Sequence, residues 1–427
     1  MISWNDVKQL IAFESKPYWV TTLSLNIDGR HFPKREEYNV VFKNLVRETR
    51  TQIDRAGLTE AARQSVEQDF EKIERYLLDQ FERNHHRGLL IYACAGKDLW
   101  QPLAFPIPLR SKLVVQPHPY TLPLTALLDE YPRYCVVILS QERARIFEVY
   151  LGEILEHSEI YDELPGKVHD SSSKEYKAIG PYGRRERRIE RRGRRSNRPV
   201  GGGNSESGVY GLAERKIERH LESHVRQHFK RIADITFSFF KDHHFNWLIL
   251  GGQTENVAAF EEVLHSDLKS RMIGTLKADP KSSLAAIHEE SLRLIQEAER
   301  DQRDRLIRRI AEANYPDGLG VLGITPTLEA LKQQAVQILV VESASQLSGA
   351  RCTVCSHMTF SASNCPDCGG ITEPINDLVE EAVEEAILQS AQIIHVPSHP
   401  ILERSGGIGA LLRYRPAKNT NLAKGAA

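Results

Sequence analysis

The chain has 427 residues, 41% of them hydrophobic and 26% charged, which is material for about three packed domains. A formal net charge of -1 excludes a globally basic nucleic-acid binder, so any RNA surface must be local. No apolar run reaches bilayer length, and the opening MISWNDVKQLIAFESK lacks the basic-then-apolar layout of a signal peptide. The expectation is a cytoplasmic protein with no membrane partner, whose six cysteines are thiols or metal ligands rather than disulfides.

In chain order, VTTLSLN (20–26) and GLLIYACA (88–95) read as strands. Two helical stretches lie between them, Tyr38 to Asp54 and Thr59 to Phe81. The second repeats Phe70, Ile73, Tyr76, Leu77 and Phe81 at helical spacing. The proline-rich run from Pro102 to Pro123 is expected to be a passage between domains. RYCVVILSQERARIFEVYLGEILE (133–156) predicts three short strands. From Asp170 to Tyr210 the composition turns polar, basic and rich in Gly and Ser, which predicts a long mobile loop. An amphipathic helix carrying Leu212, Ile217, Leu221, Val225, Phe229 and Ile232 follows. FNWLIL (245–250) predicts a buried strand, and Thr254 is placed as the N-cap of a helix with Val257, Phe260 and Leu264 on its apolar face. Two further helices are expected, Leu284 to Glu299 and Arg303 to Ala313. Alternating strands and helices then run through GVLGI, the helix begun by Thr325-Pro326, QILVVES, Leu378 to Ser390, QIIHV and ALLRYR, predicting a three-layer α/β domain.

Two segments carry chemistry that can be read from residue types alone. Cys352-x-x-Cys355 and Cys365-x-x-Cys368 form two knuckles whose four thiolates complete a tetrahedral site, which predicts structural zinc with no open coordination position. The intervening SHMTFSASN is polar and offers no apolar core for unligated cysteines. The second segment packs Arg184, Arg185, Arg187, Arg188, Arg191, Arg192, Arg194, Arg195 and Arg198 together. Their guanidiniums repel one another until phosphates neutralise them, and the planar fork suits phosphate and base stacking, so RNA contact is expected. GLGVLG (318–323) fits the dinucleotide-binding glycine spacing, but it enters its strand where such a site needs glycines after the strand.

The C-terminal GGIGALLRYR (406–415) resembles the signature of archaeal and eukaryotic class-1 peptide-chain release factors. LGVLGITPTLEALKQQAVQILVVES (319–343) resembles the same family's strand, TLxAL helix and strand, and the four-cysteine insertion follows where archaeal members carry a zinc minidomain. The pattern suits the bacterial branch of the family, whose relatives include Pelota-type ribosome-rescue factors. The resemblance implies a multi-domain α/β protein. Its parts would be an N-terminal α/β domain (1–128), an RNase-H-like middle domain (129–277) with a basic loop (170–210), and a three-layer α/β C-terminal domain (278–416). That last domain would be akin to kink-turn-binding ribosomal proteins, with a zinc ribbon (350–371), and a disordered tail (417–427) would follow. It also implies a ribosome, tRNA or rRNA partner. In these relatives a catalytic tripeptide sits at the tip of a loop ahead of the long middle-domain helix, which here places Gly202, Gly203 and Asn204 as the catalytic candidates. Asn204 keeps an amide but is one methylene shorter than the family's Gln. Gly251-Gly252-Gln253 matches the catalytic tripeptide letter for letter, yet follows the helix and is read as a strand-to-helix turn. The stop-codon-reading Asn-Ile-Lys-Ser tetrapeptide is absent from the first block, which favours ribosome rescue over codon-directed termination. The implied activity is peptidyl-tRNA ester hydrolysis, and the alternative is a non-catalytic ribosome- or RNA-binding adaptor.

Overall fold

The structure, a computed structural model, describes residues 2–162, 206–343, 347–360 and 363–415. The first unit comprises α1 (Trp4–Ile11), β1 (Val20–Asn26), α2 (Arg35–Ala56), α3 (Glu60–Arg75), β2 (Gly88–Cys94), β3 (Leu99–Phe105), β4 (Lys112–Gln116) and α4 (Leu122–Glu130). Its four strands form an antiparallel sheet of order β3-β2-β1-β4. Strand alternation gives it two buried faces. Leu23, Leu25, Leu89 and Ile91 pack against Phe42, Phe70 and Ile73 of α2 and α3. Leu90 and Tyr92 face the other way, into a core that also takes in α1 and α4. The proline-rich run is therefore not a passage between domains: it contains β3, β4 and the start of α4. Pro102 is tolerated because β3 is an edge strand, where a missing N–H leaves no ladder bond broken.

The second unit contains β5 (Tyr134–Leu139), β6 (Arg143–Tyr150), β7 (Glu153–Tyr161), α5 (Glu206–His243), β8 (Trp247–Gly252), α6 (Thr254–Val263), α7 (Ser266–Lys269) and β9 (Met272–Leu276). Its sheet has the order β7-β6-β5-β8-β9, an antiparallel meander joined at β5 to two parallel strands. Cys135, Val137, Leu248 and Leu250 face Phe229 and Ile232 of α5 and Phe260 of α6. Tyr134, Val136, Ile138 and Ile249 face the opposite layer. The α6 N-cap is Gln253 rather than Thr254, because the first intrahelical bond runs from Val257 N–H to Gln253 O.

The third unit holds α8 (Leu284–Glu312), β10 (Gly320–Leu322), α9 (Ile324–Lys332), β11 (Val336–Glu342), β12 (Gly349–Cys352), β13 (Met358–Thr359), β14 (Thr372–Ile375), α10 (Leu378–Leu388), β15 (Gln392–Val396), α11 (Pro400–Glu403) and β16 (Ile408–Leu412). Its main sheet, β10-β16-β11-β15, is mixed, with β11 and β15 parallel. Leu339, Val341 and Ala410 face α9 and α10, while Val340, Ile394 and Leu411 face α8 and α11, so the unit has three layers. The two helices expected between Leu284 and Ala313 are a single one. The residues between them, Arg300, Asp301 and Gln302, include no helix breaker, and Arg303 pairs with Glu299 one turn earlier. This helix spans two units: Ile287 and Ile295 belong to the second unit's core, and Ile307 and Ile310 to the third's. Units one and three also share a core, since Leu90 and Tyr92 lie in the same apolar cluster as Leu331 of α9 and Val383 of α10.

Candidate functional site

The short sheet β13-β12-β14 carries the four cysteines. Sγ of Cys352 lies 3.4 Å from that of Cys368, and Sγ of Cys355 lies 3.5 Å from Cys365 and 3.4 Å from Cys368. All four ligand atoms fall within 4.8 Å of one another. A disulfide needs about 2.05 Å, whereas a tetrahedron with metal–sulfur bonds of about 2.3 Å has edges of about 3.8 Å. The cluster fits a metal ion and does not fit a bridge. The backbone builds the knuckle: N–H groups of Val354 and Cys355 point at Cys352 Sγ from 3.4 and 3.5 Å. The Cys355 N–H above all lowers the Cys352 thiol, while contact with the neighbouring sulfurs raises Cys355, the arrangement of four crowded thiols that share one site. Gly369 takes a φ of 71°, and a Cβ on Gly370 would lie 2.8 Å from Val354 Cγ2, which explains the two glycines after the second pair.

The catalytic candidates Gly202, Gly203 and Asn204 and the arginines Arg184, Arg185, Arg187, Arg188, Arg191, Arg192, Arg194, Arg195 and Arg198 lie outside the described residues. Their two attachment points are described. At the exit from β7, Asp162 accepts from His228 Nδ1 at 2.7 Å and pairs with Arg231 at 2.6 Å, which fixes the strand end against α5. The return is Glu206, the first residue of α5, about 33 Å along the helix from His228 at 1.5 Å per residue. Between Arg219 and Gln227 no α5 side chain is fully buried, though Val225 still packs on the middle unit's core. Gly251 and Gly252 close β8, and Gln253 caps α6. Gly252 has φ 142°, and a Cβ there would lie 2.4 Å from Leu139 O, so glycine is required by close approach to β5.

Two polar clusters have no signal in the sequence. Between units one and three, Glu380 accepts from Gln116 Nε2 (3.1 Å) and Thr121 N–H (3.0 Å). His118 sits 3.0 Å from Glu381 Oε1 and 3.6 Å from Glu384 Oε1. Arg351, adjacent to Cys352, pairs with Glu381 and so ties the cysteine sheet to α10. Burial opposes charge on His118, yet bonds to Glu381 and Glu384 hold its pKa up at about 11. At the meeting point of all three units, Arg303 reaches Asp129 Oδ2 at 3.5 Å and Glu299 Oε2 at 3.3 Å. Burial raises Glu299 to about 8 and Asp129 to about 6, and it lowers His395 to about 4. Thr125 Oγ1 donates to Leu122 O, so it accepts from Nε2–H of a neutral His395. A cavity of about 1240 Å³ opens beside this cluster, lined by Arg300, Arg308, Ser343 and His399 among others.

Comparison with known proteins bears on the centre of the chain. Residues 119–297 match the sequence pattern of bacterial archaeo-eukaryotic release factor family 10. Through that stretch the chain is similar to the bacterial branch of the archaeo-eukaryotic release-factor superfamily. The matched segment takes in α4, the whole middle sheet and the first half of α8. Among solved structures, an archaeal translation termination factor is 14% identical over 97% of this chain and 99% of its own, with a TM-score of 0.24. Pelota of Archaeoglobus fulgidus is 14% identical over 77% and 80%, with a TM-score of 0.29. A ribosome-bound archaeal Pelota is 13% identical over 74% and 73%, with a TM-score of 0.39. No functionally curated protein matches the chain. Among the described residues, no helix is long and apolar enough to cross a membrane.

Proposed function

We propose that this protein is a release-factor-like translation factor that acts on ribosomes or peptidyl-tRNA, in rescue rather than in stop-codon reading. The family match over residues 119–297 carries the reading. In it, the middle unit is RNase-H-like, in keeping with three antiparallel strands followed by two parallel ones. The third unit is of the kink-turn-binding ribosomal-protein type, and its short three-stranded sheet is a ribbon around structural zinc held by Cys352, Cys355, Cys365 and Cys368. Four protein thiolates leave zinc no position for substrate, so its role is to hold β12, β13 and β14 together.

The arginines between Arg184 and Arg198 bind tRNA or rRNA phosphates, and Gly202, Gly203 and Asn204 approach the peptidyl ester. A backbone N–H there stabilises developing negative charge while the amide of Asn204 orients water. The placement of α5 supports this, since the helix begins at Glu206, two residues after Asn204. Stalled ribosomes carrying labelled peptidyl-tRNA provide the test. Wild type and Gln253→Ala release peptide, whereas Gly202→Ala/Gly203→Ala does not. Loss of release in Gln253→Ala alone moves the site to the end of β8. Salt-sensitive ribosome binding without release by any variant leaves the adaptor reading.

A further inference from the structure

The carboxyl ends of β5, β8 and β9 lie side by side at Leu139, Gly252 and Leu276. From β5 the sheet grows in both directions, to β6 on one side and to β8 on the other, so its topology switches there. Open sheets bind ligands in the crevice outside the strand ends at such a point. Here the crevice is a cleft of about 460 Å³, within the range of small-molecule sites.

Its lining is chemically specific. On one side, α6 begins at the cleft with no side-chain cap on Gln253. The N–H groups of Thr254, Glu255 and Asn256 have no acceptor among the described residues. Asn256 is the second, independent feature. It is 7% exposed, lines the cleft, and its side-chain amide has no hydrogen-bond partner among the described residues. The amide atoms are the part of this residue that still reaches the cleft's solvent, so a donor and an acceptor are open to something that enters. Lys277, just beyond β9, is exposed and has no ion-pair partner among the described residues, and the same holds for Glu142 in the β5–β6 turn. Asp279 also lines the cleft, but its Oδ1 accepts from Lys281 N–H at 2.7 Å. Glu255, in the first turn of α6, is not part of the lining. Gly252 leaves backbone at the base of the cleft, where a side chain would meet Leu139 O.

Free N–H groups and a lysine suit a phosphate. A free carboxylate and an unpaired amide suit the hydroxyl and amine donors of a sugar and a base. We propose that this cleft binds a mononucleotide unit, with its phosphate at the α6 N-terminus and Lys277 and its sugar and base at Glu142 and Asn256. The unit is either a free nucleotide or the terminal nucleotide of an RNA. The proposal stands apart from the translational reading, because nothing in it uses the arginines or Gly202, Gly203 and Asn204.

Isothermal titration of the full chain tests it, with AMP, GMP, CMP, UMP, a short oligoribonucleotide and inorganic phosphate as the probes. One nucleotide or the oligonucleotide is expected to bind saturably at a single site. Lys277→Ala, at an exposed position, and Asn256→Ala should each weaken that binding tenfold or more. Glu142→Gln should weaken the nucleotide and leave inorganic phosphate unchanged. Binding of free nucleotides identifies a small ligand; binding of the oligonucleotide alone identifies a chain end. The proposal is overturned if no probe saturates, or if binding survives Lys277→Ala, as it would were the oligonucleotide held by the arginines instead.

Discussion

Replacing His118 by Ala should unfasten unit one from unit three. The imidazole is the cation between Glu381 and Glu384, at 3.0 and 3.6 Å, with Glu380 buried beside them. Its pKa rises from 6.5 to about 11, and at about 1.4 kcal/mol per unit this sets a ceiling of roughly 6 kcal/mol. Part of that loss is recovered in the variant, because burial already holds Glu380 and Glu384 above the usual carboxylate range and they can take up protons. The expected net loss at pH 7 is about 3–5 kcal/mol, the usual cost of stripping one partner from a buried pair. The sign with pH follows from linkage. A histidine with a raised folded pKa contributes fully below 6.5, and the contribution fades as pH rises through 11. Urea unfolding of wild type and variant at several pH values should therefore give a gap that shrinks as pH rises between 7 and 10, by at most about 1.4 kcal/mol per pH unit and by less where Glu380 or Glu384 holds a proton in the variant. A gap below about 1 kcal/mol at pH 7, or one that does not change with pH, refutes the ion-pair account.

The purified protein should hold one equivalent of zinc by mass spectrometry, and Cys365→Ala should lose it together with hydrogen-exchange protection in β12 to β14. Gly252→Ala should cost about 1–3 kcal/mol in denaturant unfolding, from the φ of 142° and the contact with Leu139 O; an unchanged midpoint would contradict it. Asp69, buried against Thr21 Oγ1 and Ala95 N–H at 2.8 Å each, has its pKa raised by burial to about 7. Its contribution is present below about pH 4 and is lost as pH rises through 7, so Asp69→Asn should flatten the pH dependence of stability across that window by up to roughly 4 kcal/mol.

Most elements were legible because their periodicity was tied to burial on a face. FNWLIL and QIIHV are strands covered on both sides, and Val257, Phe260 and Leu264 form the buried side of α6. The cysteine cluster was legible because thiolate spacing carries geometry with it. The errors came where tertiary context overrides a local signal. Proline at an edge strand looks like proline in a linker, and a capping threonine one residue inside a helix looks like the cap itself. The polar clusters were not legible at all. In LVEEAVEEAIL the paired glutamates resemble a solvated helix face, and only the fold brings Gln116, His118 and Thr121 over them. Arg303, Asp129 and His395 are likewise far apart in the chain and meet through three separate elements.

The same contacts bear on how the units can move. Units one and three share an apolar core, and α8 lies in the cores of both the second and third. A hinge between any two would have to expose apolar surface and strand buried charge, which is costly at both joints. Arg303 sits on α8 where unit one contributes Asp129 and unit three contributes the backbone of His395 to the same carboxylate. Trp247, at the start of β8, lines one cavity with Glu299 and Arg303. One guanidinium therefore touches a network drawn from every unit, and the carboxyl groups around it change charge between about pH 6 and 8. Deprotonating Glu299 beside Asp129 places two carboxylates on a single arginine, so the joint should loosen as pH rises through 8 while the interior of each sheet stays intact.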